Sequence, residues 1–137
     1  MGKKKIVIDT NIYISALGWE GNPKRIVDKV IEGEFELILS KTQLEEIKRV
    51  LDYPKLGFTD ERKKRFLQLL YEIATMVEIK EEVKGVSDDP KDDIILESAN
   101  EMEIDYIITG EDHLLRLKEF KGAKIIKASE FLERFGE

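Results

Sequence analysis

The sequence KIVIDTN, residues 5–11, joins a short apolar run to a polar turn. Lys5-Ile6-Val7-Ile8 is typical of a buried strand, and Asp9-Thr10-Asn11 can begin a helix that continues to about Leu17. A buried strand followed at once by a helix is the unit from which parallel sheets are built.

The same alternation continues along the chain. Further strands are predicted at residues 35–39, 77–79, 106–109 and 124–126, and helices at 22–33, 40–51, 59–74, 89–103, 111–118 and 129–135. Short apolar strands separated by helices indicate a parallel sheet covered on both faces. We therefore predict an α/β fold, a three-layer α/β/α sandwich around a central, mainly parallel sheet of roughly four or five strands.

The composition excludes several classes of site. The chain has 137 residues, 42% of them hydrophobic and 38% charged, with no Cys and one His. This predicts a single folded domain over residues 1–137 and excludes a disulfide framework, a thiolate zinc site and a cysteine nucleophile. The lone His113 argues against a Ser-His-Asp triad and against a metal site built from several histidines. Any metal would therefore be held mainly by oxygen atoms.

Charge and apolar patterning limit the partners. The net charge of -6 argues against a polycation that coats nucleic acid, so local basic clusters must carry any such binding. The longest apolar runs are about four residues, which excludes a membrane span and a signal-peptide core and favours a cytoplasmic protein. The excess of Lys and Glu over Gln is the bias of heat-adapted proteins.

Acidic residues fall where the predicted strands end. The carboxyl ends of parallel strands meet at one edge of a sheet, where loops and helix N-termini converge. Asp9 ends the first strand, and Asp92 lies in the first turn of the fifth helix. Glu111 and Asp112 follow the fourth strand. Each of these acids could instead be a helix cap or a solvated side chain.

Helical geometry separates two pairs of neighbouring acids. Glu46 lies about 110° from the centre of the apolar stripe of the third helix, and Glu45 about 150°. On the fifth helix Asp92 lies roughly 40° from the corresponding centre, and Asp93 roughly 140°. We therefore expect Glu46 and Asp92 to lean toward the core, and their neighbours to face solvent.

Inward-leaning acids at one sheet edge predict a cation. Asp9, Glu46, Asp92 and Glu111 would repel one another there, and a bound divalent cation relieves such repulsion. Ligands that are all oxygen favour Mg²⁺ or Mn²⁺ over zinc or copper. The sequence thus predicts a site for one or two such ions.

The order and spacing of four motifs resemble the PIN-domain family. They are Asp9-Thr10-Asn11, Leu44-Glu45-Glu46-Ile47, Asp89-Pro90-Lys91-Asp92-Asp93 and Ile108-Thr109-Gly110-Glu111-Asp112-His113. The resemblance spans residues 4 to about 132. Ser15-Ala16-Leu17 and Ala128-Ser129-Glu130-Phe131-Leu132 are also similar to the VapC-like branch, described as toxins of toxin–antitoxin pairs. The resemblance implies a nuclease that cleaves RNA with the help of Mg²⁺ or Mn²⁺.

The resemblance also implies roles for individual residues. The four family acids match Asp9, Glu46, Asp92 and Glu111, and the polar residues that orient them match Asn11 and Thr109. The family more often has Asp at the position of Glu111, so the metal ligands are Asp9 and Asp92 together with Glu111 or Asp112. Glu46 would orient or deprotonate the water that attacks phosphorus.

The resemblance further implies partners. RNA would dock on basic residues at the rim of the site, namely Lys24, Arg25, Lys48, Arg49 and Arg116. The sequence has no regular series of aromatic residues that would predict stacking on RNA bases. An antitoxin protein is an expected partner, as is a second copy of the chain, for which the fourth helix offers Phe66, Leu69, Leu70 and Ile73.

Two other functions remain open from the sequence. A PIN-like fold without catalytic activity would act as a binding module, although the intact acids argue against it. A phospho-receiver domain has the same size and alternation, but it needs paired acids after the first strand and an Asp where this chain has Ser40.

Overall fold

The computed structural model describes residues 2–87 and 89–136. Within them, six strands form one sheet. The strands are β1 (Lys5–Ile8), β2 (Glu36–Ser40), β3 (Ala74–Val77), β4 (Tyr106–Ile108), β5 (Glu119–Phe120) and β6 (Ala123–Ile126). The helices are α1 (Thr10–Gly18), α2 (Asn22–Ile31), α3 (Lys41–Leu51), α4 (Asp60–Ile73), α5 (Pro90–Glu101), α6 (Asp112–Leu115) and α7 (Ala128–Phe135), with a 3₁₀ turn at Pro54–Leu56.

The sheet has the order β3-β2-β1-β4-β6-β5. All neighbouring strands pair in parallel except β5 and β6, which are antiparallel. The predicted α/β fold with a mainly parallel sheet is therefore confirmed. No helix in the described ranges has the length and apolar character needed to cross a membrane.

Apolar side chains cover both faces of the sheet. Ile6 and Ile8 of β1 pack on one face with residues of α1, α2, α3, α4 and α7. Val7 points to the other face and packs with residues of α5 and α6. Successive side chains of a strand point to opposite faces, so one continuous apolar strand supports two cores. The three layers predicted from the sequence follow from this arrangement.

The third strand begins three residues earlier than predicted. The sequence predicts a strand at 77–79, whereas β3 pairs with β2 from Ala74 to Val77. Ala74 already has extended backbone angles, with φ -93 and ψ 147. The apolar spacing of α4 continues into Ala74, so the helical period hides the change to a strand.

The sixth strand, β5, is not predicted from the sequence. It forms a hairpin with β6 through Lys121 and Gly122, which have φ angles of 51° and 85°. Positive φ at both central residues is what a tight two-residue hairpin turn requires. The preceding helix, predicted to reach residue 118, is correspondingly shorter and ends at Leu115.

The structure buries part of the α4 face that was expected to form a contact between two copies. Phe66 and Leu70 are buried in the chain's own core, and Ile73 packs against it. Leu69 is half-buried. Helix α4 covers the sheet with most of the side chains that were expected to form a contact between two copies.

Tyr13 of α1 provides a test of core packing. Its ring is fully buried and meets Phe66 edge to face, with ring centroids 6.5 Å apart. Among the described residues its hydroxyl has no hydrogen-bond partner, and burial raises its pKa. Because an unpaired buried hydroxyl is unfavourable, we expect Tyr13→Phe to raise the free energy of unfolding by about 1 kcal/mol in urea denaturation. A less stable variant would contradict this.

Candidate active site

A cavity of about 200 Å³ opens at the carboxyl edge of the sheet. Its walls include the four acids predicted to be catalytic, Asp9, Glu46, Asp92 and Glu111. They come respectively from the end of β1, from α3, from the first turn of α5 and from the turn after β4. Four segments distant in sequence therefore meet at one place, because β2, β1 and β4 are neighbours in the sheet.

Asp9 is held from two sides at the bottom of this cavity. It is 5% exposed, and its Oδ2 accepts a hydrogen bond of 2.5 Å from Thr109 Oγ1. Its Oδ1 accepts from the backbone N–H of Asn11 at 3.2 Å. Burial raises the pKa of Asp9, the two hydrogen bonds lower it, and the charges of Glu111 and Glu46 raise it further. The net effect is a raised pKa.

Asp92 is the least satisfied of the four acids. It is 9% exposed, and its Oδ2 has no hydrogen-bond partner among the residues that the structure describes. Burial, followed by the negative charges of Asp89, Glu111 and Asp9, raises the pKa of Asp92 to about 6. His113 has a smaller, opposite effect. Positive charge next to this carboxylate would therefore be favourable.

Glu46 and Glu111 are held by side chains next to Asp9 in the sequence. Thr10 Oγ1 donates to Glu46 Oε1 at 2.5 Å, and Asn11 Nδ2 donates to Glu111 Oε1 at 3.2 Å. The hydroxyl of Thr109, which donates to Asp9, also accepts from the backbone N–H of Glu111 at 3.0 Å. Asn11 and Thr109 thus contact the acids that they were predicted to orient.

The donor set fits a hard divalent cation. The candidate ligands on the cavity wall are carboxylate oxygens, which Mg²⁺ and Mn²⁺ prefer. The raised pKa of Asp92 and its unpartnered Oδ2 both indicate a place where positive charge is favourable. Nevertheless, in residues 2–87 and 89–136 no three His, Cys, Asp or Glu side chains are arranged as a group that could hold one metal ion. Thr10, Asn11 and Thr109 each engage one of the acids instead.

Of the two acids after β4, the structure brings only Glu111 to this cavity. Asp112 is the first residue of α6 and lines a different cavity, together with Arg116. Glu111 precedes the helix, and its side chain reaches back to Asn11. This position follows from the extended backbone of Glu111, with φ -80 and ψ 122.

The five bases predicted to bind substrate are distributed unevenly. Within the described residues, Arg49 alone among them lines the cavity, and its Nη2 lies 4.0 Å from Glu46 Oε2. Lys48 donates to the hydroxyl of Tyr71 at 3.4 Å. The others contact their own helices or turns: Lys24 with Asp28, Arg25 with Asn22 and Arg116 with His113.

Lys91, Tyr53 and Thr10 also line the cavity wall but were not among the site residues predicted from the sequence. Lys91 lies in the first turn of α5, inside a motif that was noted for its acids. Tyr53 follows α3 immediately before Pro54, and Thr10 is the first residue of α1. Lys91 could have been predicted, because it is adjacent in the sequence to the predicted ligand Asp92. Tyr53 could not, because it reaches the wall only through the path of the chain after α3.

Asp93 does not face solvent, which corrects the prediction from helical angles. It is 3% exposed. Its carboxylate accepts hydrogen bonds from the backbone N–H groups of Gly85 at 3.0 Å and Ser87 at 2.8 Å. The segment over residues 80–87, which we call the strap, covers the outer side of α5. A helical angle defines a direction, but it cannot show that another segment lies there.

Two more acids of α5 hold the strap in the same way. Glu97 accepts from the backbone N–H of Val83 at 3.3 Å. Glu101 accepts from Lys80 at 2.7 Å and from Glu81 at 3.1 Å, again through backbone N–H groups. Burial raises the pKa of Glu97, and the bond from Val83 lowers it. Asp93, Glu97 and Glu101, which are spaced four residues apart on α5, therefore bind the backbone of the strap and do not line the acidic cavity.

Comparisons with known proteins agree with this fold. Residues 5–113 match the family model described as PIN domain. PAE2754 from Pyrobaculum aerophilum is similar in structure, with a TM-score of 0.65, 18% identity, and coverage of 96% of this chain and 88% of that one. A second similar structure is VapBC2 from Rickettsia felis bound to a DNA fragment from its promoter. It has a TM-score of 0.63 and 12% identity, and the match covers 90% of this chain and 98% of that one. No curated protein matches significantly.

Proposed function

This chain belongs to the PIN-domain family, and we propose that it is a Mg²⁺- or Mn²⁺-dependent endoribonuclease that hydrolyses RNA phosphodiester bonds. The observation that carries the proposal is the cavity on whose wall Asp9, Glu46, Asp92 and Glu111 meet. PIN domains are generally nucleases, and this chain keeps an acid at each of the four positions. The family match also argues against the alternative that the chain is a phospho-receiver domain.

Asp9, Asp92 and Glu111 are the residues that would hold the cation. Asp92 offers a carboxylate oxygen without a hydrogen-bond partner in the described structure, and Asp9 and Glu111 add to the negative charge around it. When bound, a divalent cation supplies Lewis-acid chemistry, activating water and neutralising charge on the phosphate. Thr109 positions both Asp9 and the turn that carries Glu111.

Glu46 acts as the proton acceptor. Thr10 donates to one of its carboxylate oxygens, and this leaves the second oxygen to orient a water molecule and take its proton. The side chain is 12% exposed and lies on the cavity wall, so it can reach a substrate bound there. The Arg49 guanidinium beside it can contact a phosphate oxygen of that substrate.

Basic residues at the rim bring the substrate to an acidic cavity. Arg49 and Lys91 lie on its wall and offer cationic contacts for the phosphate backbone. Lys24, Arg25, Lys48 and Arg116 lie elsewhere and would contact flanking nucleotides. Because an acidic pocket repels phosphate, docking should be tightest when the cation is bound.

The proposed biological setting is a toxin–antitoxin pair. The similar structure from Rickettsia felis is a VapBC complex, and this supports an antitoxin protein as a partner of the present chain. We also propose that residues 1–137 form one nuclease domain and that the chain pairs with a second copy. Such pairing must use a surface other than the buried side chains of α4, Phe66 and Leu70.

The proposal is tested by incubating the purified chain with single-stranded RNA in millimolar Mn²⁺ or Mg²⁺ and, in parallel, in EDTA. We expect cleavage in the presence of either ion and none in EDTA, since the acids need a cation to act on a phosphate. Cleavage that is equally fast in EDTA would contradict the proposed chemistry. RNA binding with no cleavage under any metal would instead support a PIN-fold binding module.

A further inference from the structure

One buried side chain of α3 is polar. Gln43 is 1% exposed, while the other buried side chains of this helix are apolar. Its Nε2 donates to the backbone carbonyl of Ile8, the last residue of β1, at 2.5 Å. Burying an amide is unfavourable unless it is hydrogen-bonded, so this contact is expected to form whenever α3 packs on the sheet.

Ile8 lies where β1 and β2 separate at the carboxyl edge of the sheet. The parallel pairing of these two strands ends at Ile6 and Leu37, whereas β1 stays paired with β4 as far as Ile8. The backbone N–H of Asp9, the next residue, also donates to β4. The amide of Gln43 therefore takes the place of a strand partner for the carbonyl of Ile8.

The same bond connects the two segments that carry Asp9 and Glu46. Asp9 follows Ile8 directly, and Glu46 lies three residues after Gln43, about one turn along α3. A second bond joins these segments, from Thr10 Oγ1 to Glu46 Oε1. Because the helix backbone between them is fixed, the contact at Gln43 determines where α3 presents the Glu46 carboxylate relative to Asp9.

We propose that Gln43 is a positioning residue for RNA cleavage: its bond to Ile8 holds the Glu46 carboxylate where it can take a proton from the attacking water. This inference rests on the proposed ribonuclease function and adds to it a residue that touches neither substrate nor cation. Because Gln43 is almost completely buried, it acts through Glu46. A catalytic group displaced by about 1 Å can lose much of its effect, so a contact one helical turn away can control the rate.

The kinetic test uses Gln43→Met, which keeps the length of the side chain but cannot donate, and Gln68→Met, the same change at an exposed position on α4. Single-turnover cleavage of RNA is measured at saturating Mn²⁺ in the wild type and in Glu46→Gln. We expect Gln43→Met to slow the wild type about 10- to 100-fold with the half-saturating RNA concentration nearly unchanged. It should not slow Glu46→Gln further, since its effect requires the Glu46 carboxylate. Gln68→Met should cleave like the wild type.

Crystal structures of the wild type and Gln43→Met, both grown in EDTA without RNA, provide a readout other than activity. We expect the Glu46 carboxylate of the variant to be displaced by about 1 Å relative to Asp9. If Gln43→Met does not fold, Gln43→Asn replaces it in both experiments with the same expected results. This variant keeps the amide but is one methylene too short to reach Ile8 from the same position on the helix.

The outcomes separate this inference from the proposed function. Equal slowing of the wild type and of Glu46→Gln, no slowing of the wild type, or an unmoved Glu46 carboxylate would overturn the positioning role and leave the ribonuclease proposal in place. A displaced Glu46 carboxylate in the variant, with a wild type that never cleaves RNA, would support the structural effect of Gln43 and overturn the ribonuclease proposal.

Discussion

Asp92→Asn is expected to lower the rate of RNA cleavage by about 10³-fold, more than any other single substitution in the cavity. Asn keeps the size and shape of the side chain but removes the charge from the acid that has an unpartnered oxygen in the described structure. The cation site would lose one ligand charge, and the cavity would lose affinity for the ion. Single-turnover rate constants at saturating Mn²⁺ measure the effect. Cleavage by Asp92→Asn at the wild-type rate would reject the site assignment.

Glu45 and Glu46 provide a matched control for the same assay. They are adjacent on α3, so Glu45→Gln and Glu46→Gln make the same chemical change one position apart. Glu45 is exposed, whereas Glu46 lies on the cavity wall and accepts a hydrogen bond from Thr10. We expect Glu45→Gln to cleave at a rate close to that of the wild type and Glu46→Gln to lose most activity. The opposite result would remove Glu46 from the proposed mechanism.

The second large effect concerns stability without metal. In EDTA, we expect the free energy of unfolding to rise by about 2 to 3 kcal/mol as the pH falls from about 7.5 to 4.5. The pKa of Asp92 is raised from 3.8 in a solvated carboxyl to about 6 in the folded chain, so between these values the folded state binds more protons than the unfolded state. Stability is therefore lost as the pH rises through this window. Asp9 contributes in the same direction.

Asp92→Asn isolates the contribution of this one group. The variant should be more stable than the wild type in EDTA at neutral pH and should show a smaller pH dependence in urea denaturation. Millimolar Mn²⁺ should stabilise the wild type by about 2.7 kcal/mol when the free ion reaches about 100 times its dissociation constant, and the variant much less. If Asp92 is only a helix-terminal acid, its substitution should cost about 0.5 to 1 kcal/mol in EDTA and leave the response to Mn²⁺ unchanged.

Local signals in the sequence were sufficient for most of the fold. Asp9, Ser40 and Asp89 each accept a hydrogen bond from a backbone N–H in the first turn of the following helix, as predicted from their positions before apolar helical patterns. The start of β3 was not predictable in this way, because pairing with β2 determines it. The hairpin of β5 depends on two residues with positive φ, for which Lys121 gives little local signal.

The acidic cavity was predictable because topology alone brings the ends of parallel strands together. Asp9 and Glu111 follow adjacent strands, and the phase of α3 distinguishes Glu46 from Glu45 correctly. Asp93 was misjudged because its burial depends on the strap, a polar segment without apolar periodicity. Tyr53 was missed because its place on the wall results from the turn after α3, which no repeating pattern encodes.

The strap is held by its main chain, and this determines which changes it can accept during evolution. Asp93, Glu97 and Glu101 bind backbone N–H groups at positions 80, 81, 83, 85 and 87, so these contacts do not depend on which side chains the strap carries. Proline is excluded at each of these positions because it has no N–H to donate. Gly85, with a φ of 70°, is a position where side chains are disfavoured. Homologous chains with this strap should therefore keep its length while their residues diverge.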